Sequence, residues 1–205
     1  MRRLSCSSLL LVLVFVLVAC TGTQEVSSDP GGAGSAGDVD IAEALDNAME
    51  PGEGQQKLEP MVGEFDVNIR TWLDPEQPPI ESTAVAVTTW VLGKRYIQTM
   101  LSGYIMGEPF DGIGYAGYDN VLEQYQATYM DSGGTGMEWF SGSMDPAGES
   151  AKLSATIPDP VTGEFLTVEM RLKIAASGDH VTELWEEGPT GKMVRIMELQ
   201  YTRKK

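Results

Sequence analysis

From Val62 to the C-terminus, apolar and polar residues change places at almost every step, and that alternation leaves few folds open. Phe65, Val67 and Ile69 alternate with Glu64, Asp66, Asn68 and Arg70, the two-residue period of a strand with one buried face. Turn residues cut the pattern into short pieces: Asp74-Pro75, Pro78-Pro79, Gly93, Met106-Gly107-Glu108-Pro109, Asp119-Asn120, Gly133-Gly134, Asp145-Pro146, Pro158-Asp159-Pro160, Ser177-Gly178-Asp179 and Gly188-Pro189. Between them, strands are predicted over 81–92, 95–104, 110–118, 122–131, 136–144, 149–157, 164–175, 180–186 and 192–203. None of the connections reads as a crossover helix, so a parallel α/β sheet is excluded. About ten antiparallel strands in a meander leave two raw edges, and closure into a barrel removes both. The expected fold is therefore all-β: an up-and-down antiparallel meander of about ten strands closed into a barrel, preceded by a short helical segment.

Four regions follow. Residues 1–20 have the three parts of an export signal: Arg2 and Arg3, an apolar run over 9–19, and the box Leu17-Val18-Ala19-Cys20. The run is shorter than the roughly 20 residues that span a bilayer. The box resembles the processing site of bacterial lipoproteins, which implies cleavage before Cys20 and lipid on that residue. Thr21 follows it instead of an inner-membrane-retaining Asp, and by that resemblance the outer membrane is the expected destination. Residues 21–37, rich in Gly, Ser, Ala and Thr, read as a tether that spaces the domain from the membrane. Residues 38–57 read as a short helical lid. Asp38 or Asp40 caps a helix that places Ile41, Ala44, Leu45 and Ala48 on one face. A second turn carries Leu58, Met61 and Val62 on one side. Both pieces are too short to stand alone, so both are expected to pack, the second closing one end of the barrel. The barrel spans 58–205.

Charge narrows the function. The chain carries 14 Lys and Arg against 30 Asp and Glu. Losing the signal would remove Arg2 and Arg3 and no acid. So acidic a chain repels nucleic acid and anionic membrane faces. The acidity fits either adaptation to salt or a charged interaction face. Cysteine occurs only at positions 6 and 20, so the domain has no disulfide. There is no nucleophile elbow, no phosphate loop and no metal-ligand spacing, so neither catalytic nor metal residues are assigned and no cofactor is expected.

The stretches Met61-Val62-Gly63-Glu64-Phe65, Trp90 to Tyr96, Met106 to Phe110, Gly112-Ile113-Gly114, Gly117 to Asn120, Pro158-Asp159-Pro160 and Tyr201 to Lys204 carry a resemblance. The first resembles the opening Gly-x-Trp strand of lipocalin-like barrels, with Phe65 in place of Trp. In order and spacing, Glu81-Ser82-Thr83 and the stretches from Trp90 to Lys204 together resemble domain-of-unknown-function family 1579, a family of uncharacterised bacterial proteins, from about Leu58 onward. The resemblance implies a lipocalin-like barrel and no particular activity. It also implies Asp131 and Glu183 as acidic neighbours of Arg95.

Arg95 shares its strand face with Ile97, Thr99 and Leu101, so an inward aliphatic face takes Arg95 inward with it. There it either closes a structural ion pair or offers an anion site for a fatty-acid-like carboxylate. Four tryptophans, Trp90 among them, and nine methionines from Met61 onward either fill the core or line an adaptable apolar pocket. The ligand-binding candidates are Trp90, Arg95, Tyr129, Asp131 and Glu183; Cys20 is the lipidation site. The single histidine, His180, opens a strand as a rim residue, or is the axial haem ligand that some lipocalin-like barrels use. Three functions remain open: a lipid-anchored envelope protein binding a small apolar or amphipathic ligand, a ligandless envelope protein acting through its acidic surface, and haem binding.

Overall fold

The computed structural model describes residues 40–188 and 191–205. The signal, Cys20, the tether, Asp38 and the centre of the Gly188–Gly191 turn lie outside the described residues. Ten antiparallel strands follow in chain order: β1 (Gly63–Thr71), β2 (Ile80–Val91), β3 (Tyr96–Ile105), β4 (Glu108–Asp119), β5 (Gln124–Asp131), β6 (Glu138–Met144), β7 (Ser150–Pro158), β8 (Phe165–Ile174), β9 (His180–Glu187) and β10 (Met193–Arg203). Each pairs with its neighbour in sequence, and β10 returns to β1, so the sheet is a closed barrel with no edge. Every described element lies in the compact unit Val39–Lys205, so the barrel's core is complete within that unit.

Side-chain alternation sets the inside. On β1, Phe65, Val67, Ile69 and Thr71 are buried, while Glu64, Asp66, Asn68 and Arg70 are exposed. Register carries that parity around the wall: Phe65 lies opposite Ala86, and Ile97 opposite Ala116. The interior packs as two clusters. One, on β1, β2, β3 and β10, includes Phe65, Ile69, Ala86 and Leu101. The other joins Leu58, Ile97, Tyr125, Phe140, Leu153 and Leu172. A register shift between Arg195 and Met197 adds a bulge to β10, and Trp72 N–H donates to the Ile196 carbonyl beside it (2.9 Å). The β3–β4 hairpin turns on two residues, Met106 and Gly107, both with positive φ (53° and 88°). That backbone twist matches the strands it joins.

Before the strands come α1 (Ile41–Met49), α2 (Glu53–Gln56) and a 3-10 turn (Glu59–Met61). Asp40 caps α1, accepting from the Ala42 and Glu43 amides. The expectation for the second piece holds. Leu58 is buried in the core, and Gln55 Nε2 donates to the Tyr118 carbonyl (2.9 Å). Tyr125 donates its hydroxyl to the Gly54 carbonyl (3.0 Å). Gly54 is needed there because a Cβ would enter the Tyr118 ring. The expectation for α1 does not hold. Ile41, Leu45 and Met49 stay exposed, because α1 is tied down only at its end, where Asn120 Nδ2 donates to the carbonyls of Asn47 and Glu50 (2.8 Å each).

Candidate functional site

The lid covers the barrel end formed by the start of β1 and the finish of β10. Arg203 fastens it. Its guanidinium donates to the carbonyls of Pro60 (2.6 Å), Val62 (2.9 Å) and Ser177 (3.1 Å), and lies 4.9 Å from the Phe65 ring. Trp90 works at the same end. It packs against the core cluster and donates its indole N–H to Glu59 (2.8 Å). Of the tryptophans, Trp90 alone faces inward; Trp72 lies under Arg195, Trp185 under Arg171, and Trp139 is exposed. The tryptophans therefore do not together line the barrel interior.

Arg95 is a correction. It precedes β3, in the turn where the chain has already left the wall, so strand parity does not hold it inside. Its side chain lies 3.8 Å from Glu50 and donates to the Leu92 carbonyl (3.4 Å). Glu183 points outward on β9 and pairs with Arg195 (2.8 Å). Asp131 ends β5 at the other end of the barrel. The three implied neighbours do not meet, and among the described residues no inward arginine stands ready for a carboxylate at Asp131.

Tyr129 and Asp131 do come together, with a third residue that sequence reasoning missed. Tyr129 faces Glu138 directly across the β5–β6 pair, and Asp131 follows on the same inward face. The facing positions on β4 are Gly112 and Gly114. A Cβ at Gly112 would strike the Tyr129 phenol, so the glycine makes room for that ring to lie against the wall. Glu138 alternates with Phe140 and Gly142, and anchoring the strand on Phe140 would have placed it inside; the neighbouring Trp139 pulls a sequence reading the other way.

Electrostatics mark the cluster. Burial raises the Tyr129 phenol far above its ordinary value, and Asp131, Tyr201 and Glu138 add to the shift. Burial also raises the Glu138 carboxyl, with Asp131 pushing the same way. Tyr201, facing in from β10, is pushed up to about 12 by burial. Tyr129 and Glu138 are half-buried, so their polar atoms are not sealed from water; the buried side-chain atom without a partner among the described residues is Thr71 Oγ1. Around them the inward residues Phe110, Leu166, Met170, Leu184 and Met197 are only half-buried, so the interior at this end keeps accessible apolar surface. Partly buried apolar side chains thus surround a few convergent polar groups, a combination that small-molecule sites use.

His180 is buried rather than placed at a surface rim. It stacks on Tyr201 (4.2 Å) and meets the Phe65 ring edge-on (4.9 Å), and its Nδ1 lies 3.0 Å from the Gly178 carbonyl. Burial lowers its pKa, partly opposed by the Gly178 carbonyl. Among the described residues no group of three His, Cys, Asp or Glu is placed to hold a metal ion, and no helix is long and apolar enough to cross a membrane.

Comparison with known proteins gives one family and one fold. The family model described as "Protein of unknown function (DUF1579)" matches residues 50–203. The crystal structure of Rv2717c from M. tuberculosis is similar at 15% identity, with a TM-score of 0.52, over 76% of this chain and 100% of that chain. The likeness is one of fold. A search of curated proteins finds no match.

Proposed function

We infer, for a chain that belongs to the DUF1579 family of proteins of unknown function, that the barrel binds a small amphipathic molecule through the end opposite the lid. The observation that supports this is the pair Tyr129 and Glu138, half-buried and turned inward with Asp131 beside them. A ligand group that donates to them exchanges a hydrogen bond with water for one with the ligand, worth about 0.5–1.5 kcal/mol. All three side chains can accept a hydrogen bond, and two are acids. The polar end of the ligand is therefore a donor, an amine or a hydroxyl, and its body is apolar. A carboxylate head is disfavoured by the two acids.

The protein is, in the same reading, held at the outer membrane of the cell envelope by lipid on Cys20. The basic start, short apolar run and terminal cysteine of the signal support this. Conversion of Cys20→Ser would release it from the membrane fraction; a variant that stays membrane-bound would overturn the anchor.

Native mass spectrometry of the unit Val39–Lys205, purified gently from its own host, tests the binding reading. The expected result is an added mass of a few hundred daltons that denaturation removes. N-phenyl-1-naphthylamine, an apolar probe with an N–H donor, is expected to brighten on addition to the ligand-free unit. Tyr129→Phe with Glu138→Leu should weaken that binding about tenfold. A bare mass together with no probe response would overturn the proposal.

A further inference from the structure

Acids on the two sides of the barrel wall are partnered differently. Outward on β8, β9 and β10, Glu169 pairs with Lys152 and Arg171 (2.7 Å each), Glu183 with Arg195 (2.8 Å), and Glu198 with Arg195 (2.6 Å) and Arg70 (3.0 Å). Three carboxylates at the end opposite the lid face inward instead. Glu138 lies opposite Tyr129, Asp131 opposite Gly112, and Glu186 opposite the buried Val168. Residues directly opposite in an antiparallel pair share a face, so Glu186 joins the two acids described above. None of the three is in an ion pair among the described residues. Asp131 accepts from the Gly133 amide through one oxygen (2.8 Å) and keeps the other. A second observation is independent of charge. Thr71 lies on the inward face of β1, opposite Met197 at the same end of the barrel, and is 8% exposed. Its Oγ1 is the buried side-chain atom left without a hydrogen-bond partner among the described residues. Native interiors rarely leave such an atom unmatched, so this one asks for an occupant.

We propose that the molecule bound at this end is an alkyl amine in its ammonium form, with the cationic head among Asp131, Glu138 and the Tyr129 phenol oxygen and a hydroxyl further along the chain for Thr71. The proposal rests on the binding reading above and selects between the two heads, amine and hydroxyl, that it leaves open. Charge makes the selection. A hydroxyl head donates one hydrogen bond and leaves the carboxylates repelling each other, whereas an ammonium donates three and offsets the repulsion. That repulsion is felt already, since Asp131 helps burial to raise the Glu138 carboxyl. Hydrogen bonds between ionised partners are also about twice as strong as neutral ones. The protein supplies no competitor, because among the described residues no inward side chain at this end is a lysine or arginine. The need for a second polar group comes from topology. In the closed order of ten strands, β6 is five places from β1 in either direction. Glu138 and Thr71 therefore face the interior from opposite sides, and one head group cannot serve both. Between them the half-buried Phe110, Leu166, Met170, Leu184 and Met197 offer apolar surface to the chain.

Titration calorimetry on the unit Val39–Lys205 at neutral pH and about 0.15 M salt, where diffuse attraction to an acidic chain is screened, tests it. The ligands are decylamine, decanol and decanoate, each below its micellar concentration. Decylamine should bind about tenfold or more tighter than decanol, and decanoate more weakly than either. Asp131→Asn with Glu138→Gln should bring decylamine down to the level of decanol. Glu64→Gln with Glu164→Gln removes as many acids from exposed positions and should leave decylamine binding unchanged. For the second contact, 10-amino-1-decanol should bind at least as tightly as decylamine. Thr71→Val should weaken 10-amino-1-decanol about fivefold and leave decylamine unchanged, while making the empty unit more resistant to urea. Near-UV circular dichroism confirms that each variant is folded. Decanol binding as tightly as decylamine, or an amine preference that survives loss of both acids, would overturn the proposal and leave the binding reading standing. No heat from any of the ligands, with a bare native mass, would overturn both. A Thr71→Val variant that binds 10-amino-1-decanol as the parent does would overturn the second contact.

Discussion

Replacing Arg203 with lysine tests the reasoning about the lid most directly. The guanidinium serves three carbonyls at once, from Pro60, Val62 and Ser177. Its slot is built for a planar fork. Gly63 and Gly178 flank it with positive φ (145° and 85°), and a Cβ at either would meet an Arg203 nitrogen. A lysine ammonium is a point donor at the end of a flexible stem and can satisfy one of these carbonyls well. Two charge-assisted hydrogen bonds are then lost, each worth about 1.5–3 kcal/mol when well enclosed. Water reaches part of the slot, so the lower end applies, and Arg203→Lys should cost about 3 kcal/mol. For a domain of this size that is a fall in Tm of roughly 6–12 °C. Urea unfolding of the unit Val39–Lys205 at neutral pH reads the loss. The same logic predicts coupling: Gly178→Ala should cost about 1–2 kcal/mol less in an Arg203→Ala background, where the clash with the guanidinium is gone. An Arg203→Lys variant within about 0.5 kcal/mol of the parent would refute this account, since the fork would then not hold the lid.

Other consequences concern the interior. His180 has a lowered folded pKa, so the unfolded chain takes up its proton first. Stability should therefore fall as pH drops below about 6.5, the unfolded value. His180→Phe should flatten that slope between pH 7 and 5.5, as read from urea midpoints; an unchanged slope would remove His180 as its source. Glu138 has the opposite sign. Its folded pKa is raised, so its charged form opposes folding above the ordinary carboxylate range. Glu138→Gln should raise the urea midpoint at pH 7, and the gain should vanish in acid below that range. Gly112→Ala drives a methyl into the Tyr129 phenol. It should cost about 1–3 kcal/mol of stability and reduce binding of N-phenyl-1-naphthylamine; an unchanged dissociation constant would place the site elsewhere.

How far the sequence reached can be argued residue by residue. All ten strands were legible, because a half-buried strand repeats every two residues and turn residues end it. The lid contact of Leu58 was legible for the same local reason, and the helix cap was narrowed to Asp38 or Asp40, of which the structure uses Asp40. The candidate site was legible only in part. Tyr129 and Asp131 belong to it, whereas Arg95, Trp90 and Glu183 do not. Arg95 was lost because parity applies only while the chain stays in the wall, and the turn before β3 releases it. Glu183 was placed by resemblance, and register turns it outward to Arg195. Glu138 was missed because a glutamate beside an exposed tryptophan reads as the outer residue of the two.

By itself, then, the sequence determined the all-β class, the order and length of the strands and the acidity of the chain. These are properties of short range: alternation, turn chemistry and residue counts act within a few residues of one another. Only the tertiary structure decided which face of each strand is the inside and which polar groups meet there. Those depend on register, and register is a relation between strands. A shift of one residue in β6 would exchange Glu138 and Trp139 between interior and surface with no change in local pattern. The closure of β10 onto β1, which brings residues from the two ends of the barrel sequence side by side, is what sets that register around the whole wall.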